Sequence, residues 1–229
     1  MDQHETCKKK AFPSPESSVW SARKHFEEYI YNTFAQEMRS WEKALCNTIY
    51  ALSFFIYDRD DDPRQPMVHL SYNTTDYWGM QIAKASDADE ARWNFAFWPQ
   101  EFKAIIATPD GEHIVNPDPT GIALRAAWLA SEGMVYHDEA GDNLPVRGIE
   151  QTFQLMEKRQ DVTQAFVDVC IRVASRLHES GLITAVFGRT VPILLHELEY
   201  YQQIADQTRA ANPSGVTQEF EDWVTGLYS

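Results

Sequence analysis

The sequence predicts an α+β fold, a single domain in which a mostly antiparallel sheet of about four to six strands carries packed helices. Three observations predict it. Long stretches repeat apolar residues every three or four positions, as one face of a helix does. Short β-branched and aromatic runs, bounded by Pro, Asp and Gly clusters, interrupt them. Across 229 residues there is neither an internal repeat nor a linker long enough to divide the chain.

Taken in order, residues 1–13 are polar and aperiodic and are expected to be a loose leader to a domain spanning 14–229. Ser14-Pro15-Glu16 reads as a helix start, with a capping hydroxyl, Pro at the first helical position and an acid at the positive end of the dipole. Phe26, Ile30, Phe34, Met38, Trp41 and Leu45 then form one stripe of a long amphipathic helix. Residues 48–57 are apolar on both alternating sets, which predicts a central strand covered on two sides. After the loop at 58–66, Val68, Leu70 and Tyr72 alternate with His69 and Ser71, predicting a half-exposed strand that returns antiparallel.

A weaker helical pattern starts at Ser86-Asp87 and runs through Ala91, Phe95, Trp98, Phe102 and Ile105, broken at Pro99. Ile114-Val115 is expected to add a short strand, and Asp118-Pro119 opens a helix that stops before Gly133. An acidic loop covers 137–145. Ile149, Phe153 and Met156 make a short helical face. Asp161 and Gln164 suggest a capping box before the stripe Val162, Phe166, Val169, Val173 and Leu177, which Gly181 ends. Residues 182–187 and 191–196 read as strands, the second near a start or an edge because of Pro192. Leu198, Tyr201 and Ala205 predict a helix that ends before Asn212-Pro213, and Ser214 is expected to cap a last one through Phe220, Trp223 and Leu227.

The 20 Lys and Arg residues against 34 Asp and Glu leave a net charge of −14. That field repels phosphate backbones, so general nucleic-acid binding is not expected, whereas encounter with a basic protein is favoured. A hydrophobic share of 44%, with seven Trp, is enough for a substantial core. Cys7, Cys46 and Cys170 are too far apart for a zinc knuckle and odd in number, which suits free thiols in a reducing compartment. With no secretory h-region and no apolar run near the roughly 20 residues that span a bilayer, a cytoplasmic protein without membrane association is expected.

Three constellations could carry chemistry. Asp58, Asp60, Asp61 and Asp62 offer hard oxygen ligands, but Pro63 and His69 occupy the places where an EF-hand needs glycine and glutamate. A solvated hairpin loop is the simpler reading. His196-Glu197-Leu198-Glu199-Tyr200 begins like a zincin motif but has Tyr200 where the second histidine belongs. His196 with Glu199 could still act as a general base pair, although a His-Glu at a strand-to-helix junction more often orients backbone. Four aromatics between Trp93 and Trp98 suit either a binding patch or core packing. No phosphate-binding glycine loop or nucleophile elbow is present.

The runs Ser53–Asp58, Asp60–Arg64, Tyr72-Asn73-Thr74, Glu90–Trp98 and Pro192–Tyr201, followed by Asn212-Pro213, resemble an uncharacterised bacterial family of unknown function over roughly residues 17–228. The resemblance implies one bacterial domain and transfers no catalytic residue. Some small acidic bacterial proteins of this kind are similar to immunity proteins that neutralise secreted toxins, an analogy of fold and charge only. The expected function is therefore a non-enzymatic, immunity-like module that binds a basic protein. Asp60, Asp61, Asp62, Arg64, Trp93, Trp98, His196 and Glu199 are its candidate binding residues, with no catalytic residue, metal or cofactor expected. A metal-assisted hydrolase using the Asp-rich loop or the His196/Glu199 pair is the alternative. A homodimer built on the aromatic run is a third reading.

Overall fold

The computed structural model describes residues 15–58, 65–109, 117–134 and 149–228, with 15–20 and 149–161 described in backbone only. Among them the sheet is four-stranded and mixed, in the order β3-β2-β1-β4. Strand β1 (Ile49–Asp58) pairs antiparallel with β2 (Pro66–Thr74), placing Phe54 opposite Leu70. On its other side β1 pairs parallel with β4 (Ile193–His196), placing Phe55 opposite His196. The short β3 (Ala104–Ile106) lies antiparallel along β2. As residues 48–57 predict, β1 is central, and every side chain from Ala51 to Ile56 is buried.

Because strand side chains alternate, β1 serves two cores. Leu52, Phe54 and Ile56 face the larger one, built with α1 (Pro15–Ser40), α5 (Pro119–Ser131), α6 (Ile149–Glu179) and α7 (Leu182–Phe187). Phe26, Ile30, Phe34 and Met38 of α1 are fully buried there. Phe34 meets Phe54 edge-on at 4.9 Å between centroids, and Phe26 stacks on Trp128 at 5.6 Å. Each such side chain contributes about 1.5–3 kcal/mol by leaving water. Ala51 and Phe55 face a smaller, aromatic core with Leu194. It is covered by α4 (Ala88–Trp93), the 3-10 turn Phe95–Phe97, α8 (Gln202–Ala211) and α9 (Gln218–Gly226).

Strand β4 starts directly after Pro192 and lies at the edge, the two places that residue suggests, and side chains satisfy its outer backbone. Asn212 accepts from the Ile193 amide and donates to the Ile193 carbonyl, while Thr208 does the same for Leu195. An edge so capped offers little for strand addition.

Several expectations are corrected. The apolar stripe of the first helix continues to Trp41 and Leu45, but the helix does not. It stops at Ser40, whose hydroxyl takes the Glu37 carbonyl, and α2 (Lys43–Thr48) follows a two-residue corner. Residues 182–187 form α7 and not a strand. Gly181 and Gly188 bracket the run at φ +75° and +73°, and burial of Leu182, Ile183 and Phe187 around exposed Thr184 and Ala185 is helical. Strand β2 is buried on both faces, including His69, Ser71 and Asn73, so its alternation does not mark a wet side. The pattern from Ser86 yields only α4 and the following turn, and Ile105 belongs to β3. No break at Asp161 divides α6. Ser214 caps nothing, since α9 starts at Gln218, and Leu198 precedes α8 as an exposed residue. The leader, Ser14, Ile114-Val115 and the acidic loop after His137 lie outside the described residues. Helix α3 (Thr75–Gln81) leaves β2 with Thr74 accepting from the Tyr77 amide.

Asp118 fixes the corner between β3 and α5. Its carboxylate accepts from the amides of Ala107 and Gly121 and from the Tyr29 hydroxyl of α1. The approach is so close that a Cβ on Gly121 would meet Asp118 Oδ2 at 2.0 Å. Ala107, held at φ +66°, depends on that carboxylate for its amide. Asp118→Ala removes a helix cap and strands two further donors, so chemical denaturation should show a loss of about 2–3 kcal/mol.

Candidate functional site

On the face of the sheet that carries the smaller core, the strands bring four polar side chains into one buried layer. Ser53 lies opposite Ser71, and Phe55 stands between His69 and His196. His196 Nδ1 faces the Glu197 carbonyl at 3.0 Å and so carries the proton, leaving Nε2 to accept from the Ser53 hydroxyl at 2.7 Å. The ring packs against Phe95 at 4.9 Å and stacks on Tyr200 at 5.8 Å. Burial holds its pKa down near 4, so the imidazole is neutral at pH 7. His69 is held near 4 by the same cause, against Phe102 at 4.3 Å. Its two nitrogens and the Ser71 hydroxyl are buried without a hydrogen-bond partner among the described residues.

A cleft of about 210 Å³ lies at the carboxyl ends of β1 and β4. Phe55, Tyr57 and Asp58 form one wall, Glu197, Leu198 and Glu199 the other, and Thr163 of α6 donates to Asp58 Oδ2 at 3.0 Å. No Lys or Arg is among the described lining residues. Burial, then the charge of Asp58, push the Glu197 carboxyl above its ordinary pKa, and the Tyr201 hydroxyl partly offsets them. Leu198 stands at the mouth 74% exposed. The arrangement suits a cation with an apolar flank.

Glu199 is thus placed on a surface cleft, while His196, next to it in the motif, lies inside with both ring nitrogens engaged. Trp93 and Trp98 are also interior. Trp98 donates its indole N–H to the Arg92 carbonyl, and Trp93 lies under the Arg92 guanidinium at 4.6 Å. That guanidinium also faces Trp78 and Tyr50 and pairs with Glu219, so the aromatic run already holds a cation of its own chain. Asp60, Asp61, Asp62 and Arg64 lie outside the described residues, between the cleft residue Asp58 and Gln65. Among the described residues no group of three or more His, Cys, Asp or Glu side chains is arranged to hold a metal ion. No described helix is long and apolar enough to cross a membrane.

Ser53 and Thr163 lie outside the constellations that the sequence marks, whereas Glu197 belongs to the His196–Tyr200 motif without being one of its candidate binding residues. A serine inside an otherwise apolar strand was the available signal for the first; nothing local marks Thr163, more than 100 residues from its partner Asp58. No family model, curated protein or solved structure matches this chain.

Both buried histidines bind protons more weakly folded than unfolded. Their contribution is complete above about pH 6.5 and is lost as pH falls toward 4, each by up to about 1.4 kcal/mol per pH unit. Denaturation midpoints should fall steeply across that window, and less steeply in His69→Phe. Ser53→Ala strands the Nε2 acceptor and should cost about 1–3 kcal/mol at pH 7.

Proposed function

We propose that this protein is a non-enzymatic acidic module of the immunity type that works in the cytoplasm and binds a basic protein through the cleft at the ends of β1 and β4. The observation that carries this reading is a recess lined by Glu197 and Glu199, with Asp58 beside them, and with no Lys or Arg among its described lining residues. A chain with net charge −14 attracts a basic surface at long range, and the recess gives one Lys or Arg of that surface a place to lose its water. Glu197 is held partly desolvated at a cost that an incoming cation repays. Leu198 and Tyr57 supply apolar contact beside the charges. The free, buried thiols of Cys46 and Cys170 are compatible with a reducing compartment.

Glu197→Gln separates binding from folding. The raised carboxyl stabilises the fold only while protonated, so removing its charge should raise the melting temperature at pH 7, with the gain vanishing below about pH 4. In affinity capture from a lysate of the source organism, the full chain should retain a basic protein. Retention should fall at least about tenfold from low to high salt, and again in Glu197→Gln/Glu199→Gln. Retention indifferent to both salt and the carboxylates, or none, would refute the proposal.

A further inference from the structure

Near the other end of β1, the chain forms a second recess of about 420 Å³ between the C-terminal turns of α1, the corner leading into α2, and the α6–α7 turn. Its volume falls within the range of small-molecule sites. Met38, Cys46 and Leu182 form a buried apolar floor, and Trp41 makes one wall, held edge-on to Tyr72 at 4.9 Å. Arg39 and Lys43 are the charged lining residues; no described Asp or Glu lines it. Glu37, which accepts the Trp41 indole N–H, is not a lining residue.

Two cations facing one recess are unexpected in a chain with net charge −14. Elsewhere the described guanidinium groups are engaged. Arg23, Arg92, Arg172, Arg176 and Arg209 each pair with a carboxylate, and Arg125 and Arg189 donate to backbone carbonyls. Arg39 is the one arginine among the described side chains with neither an ion pair nor a hydrogen bond. Lys43 donates to the neutral Val186 carbonyl at 3.0 Å, which leaves its charge uncompensated. Tyr31, also lining, bonds Ser180 with its hydroxyl and so adds a polar rim beside the cations.

We infer that this recess is a binding site for a small organic anion, one whose carboxylate or phosphate is taken by Arg39 and Lys43 while an apolar or aromatic body lies against Trp41, Met38 and Leu182. Guanidinium and ammonium donors give charge-assisted hydrogen bonds to such oxygens, and the indole face suits a flat ring. The site is independent of the acidic cleft. The two share no lining residue, and β1, ten residues or about 30 Å long, runs between their ends of the sheet.

Ligand-observed NMR on the full chain tests it with four probes of similar size: phenylacetate, phenyl phosphate, phenylacetamide and benzyl alcohol. At least one anion should bind in the millimolar range or tighter while the neutral compounds do not, and the two anion arms tell carboxylate from phosphate. Arg39→Gln and Lys43→Gln should each weaken the anion about tenfold, the loss of one charge-assisted hydrogen bond. Arg39 is exposed and unpaired, so its variant should keep the wild-type melting temperature, which confirms that folding is intact. Ala185→Trp, which fills the recess, should abolish binding, and Glu197→Gln should leave it unchanged. Equal binding of the neutral probes, no binding of either anion, or an unaltered affinity in Arg39→Gln would overturn the inference.

Discussion

Strand β1 must satisfy two cores at once. Leu52, Phe54 and Ile56 belong to a dry helical core, whereas Ala51, Ser53 and Phe55 belong to an aromatic one that contains polar groups. Both cores are built on the strand, and none of its apolar residues from Ala51 to Ile56 can be made polar without cost to one of them. Around this constraint the remaining elements fall into place. α1 and α6 cover one face, the segments from Ala88 to Phe97 and α8–α9 cover the other, and β2 and β4 take the two edges of β1.

The same strand separates charge. Its carboxyl end, beside that of β4, finishes in a recess of acids; the turns that lead into its amino end form a recess with Arg39 and Lys43. Charges of opposite sign so far apart hardly compensate one another in salt, since about 10 Å of 0.1 M electrolyte screens them. Each recess therefore keeps its own preference despite a strongly negative whole.

Much of this architecture was legible in the residues. Two-sided apolar patterning named β1 as central, the Asp118-Pro119 pair named the start of α5, and Pro192 put β4 near a start or an edge. What was not legible shares a physical reason: short-range pattern reports local burial, and long-range packing overrides it. Residues 182–187 have the composition of a strand, yet two left-handed glycines and a helical burial pattern make them a helix. His69 and Ser71 alternate with apolar neighbours as a wet face would, yet Phe102 and the aromatic core cover that side. The His196–Glu199 motif drew notice for its sequence spacing, but the chain turns between the two. The imidazole goes to Ser53 and the carboxylate to the surface.

Native-state hydrogen exchange, read residue by residue, tests the central role of β1 most directly. Amides from Leu52 to Ile56 should exchange only through global unfolding, with protection matching the full stability of the protein. If those amides exchanged by local opening, faster than the amides of α1 and α6, β1 would not be the element on which both cores depend.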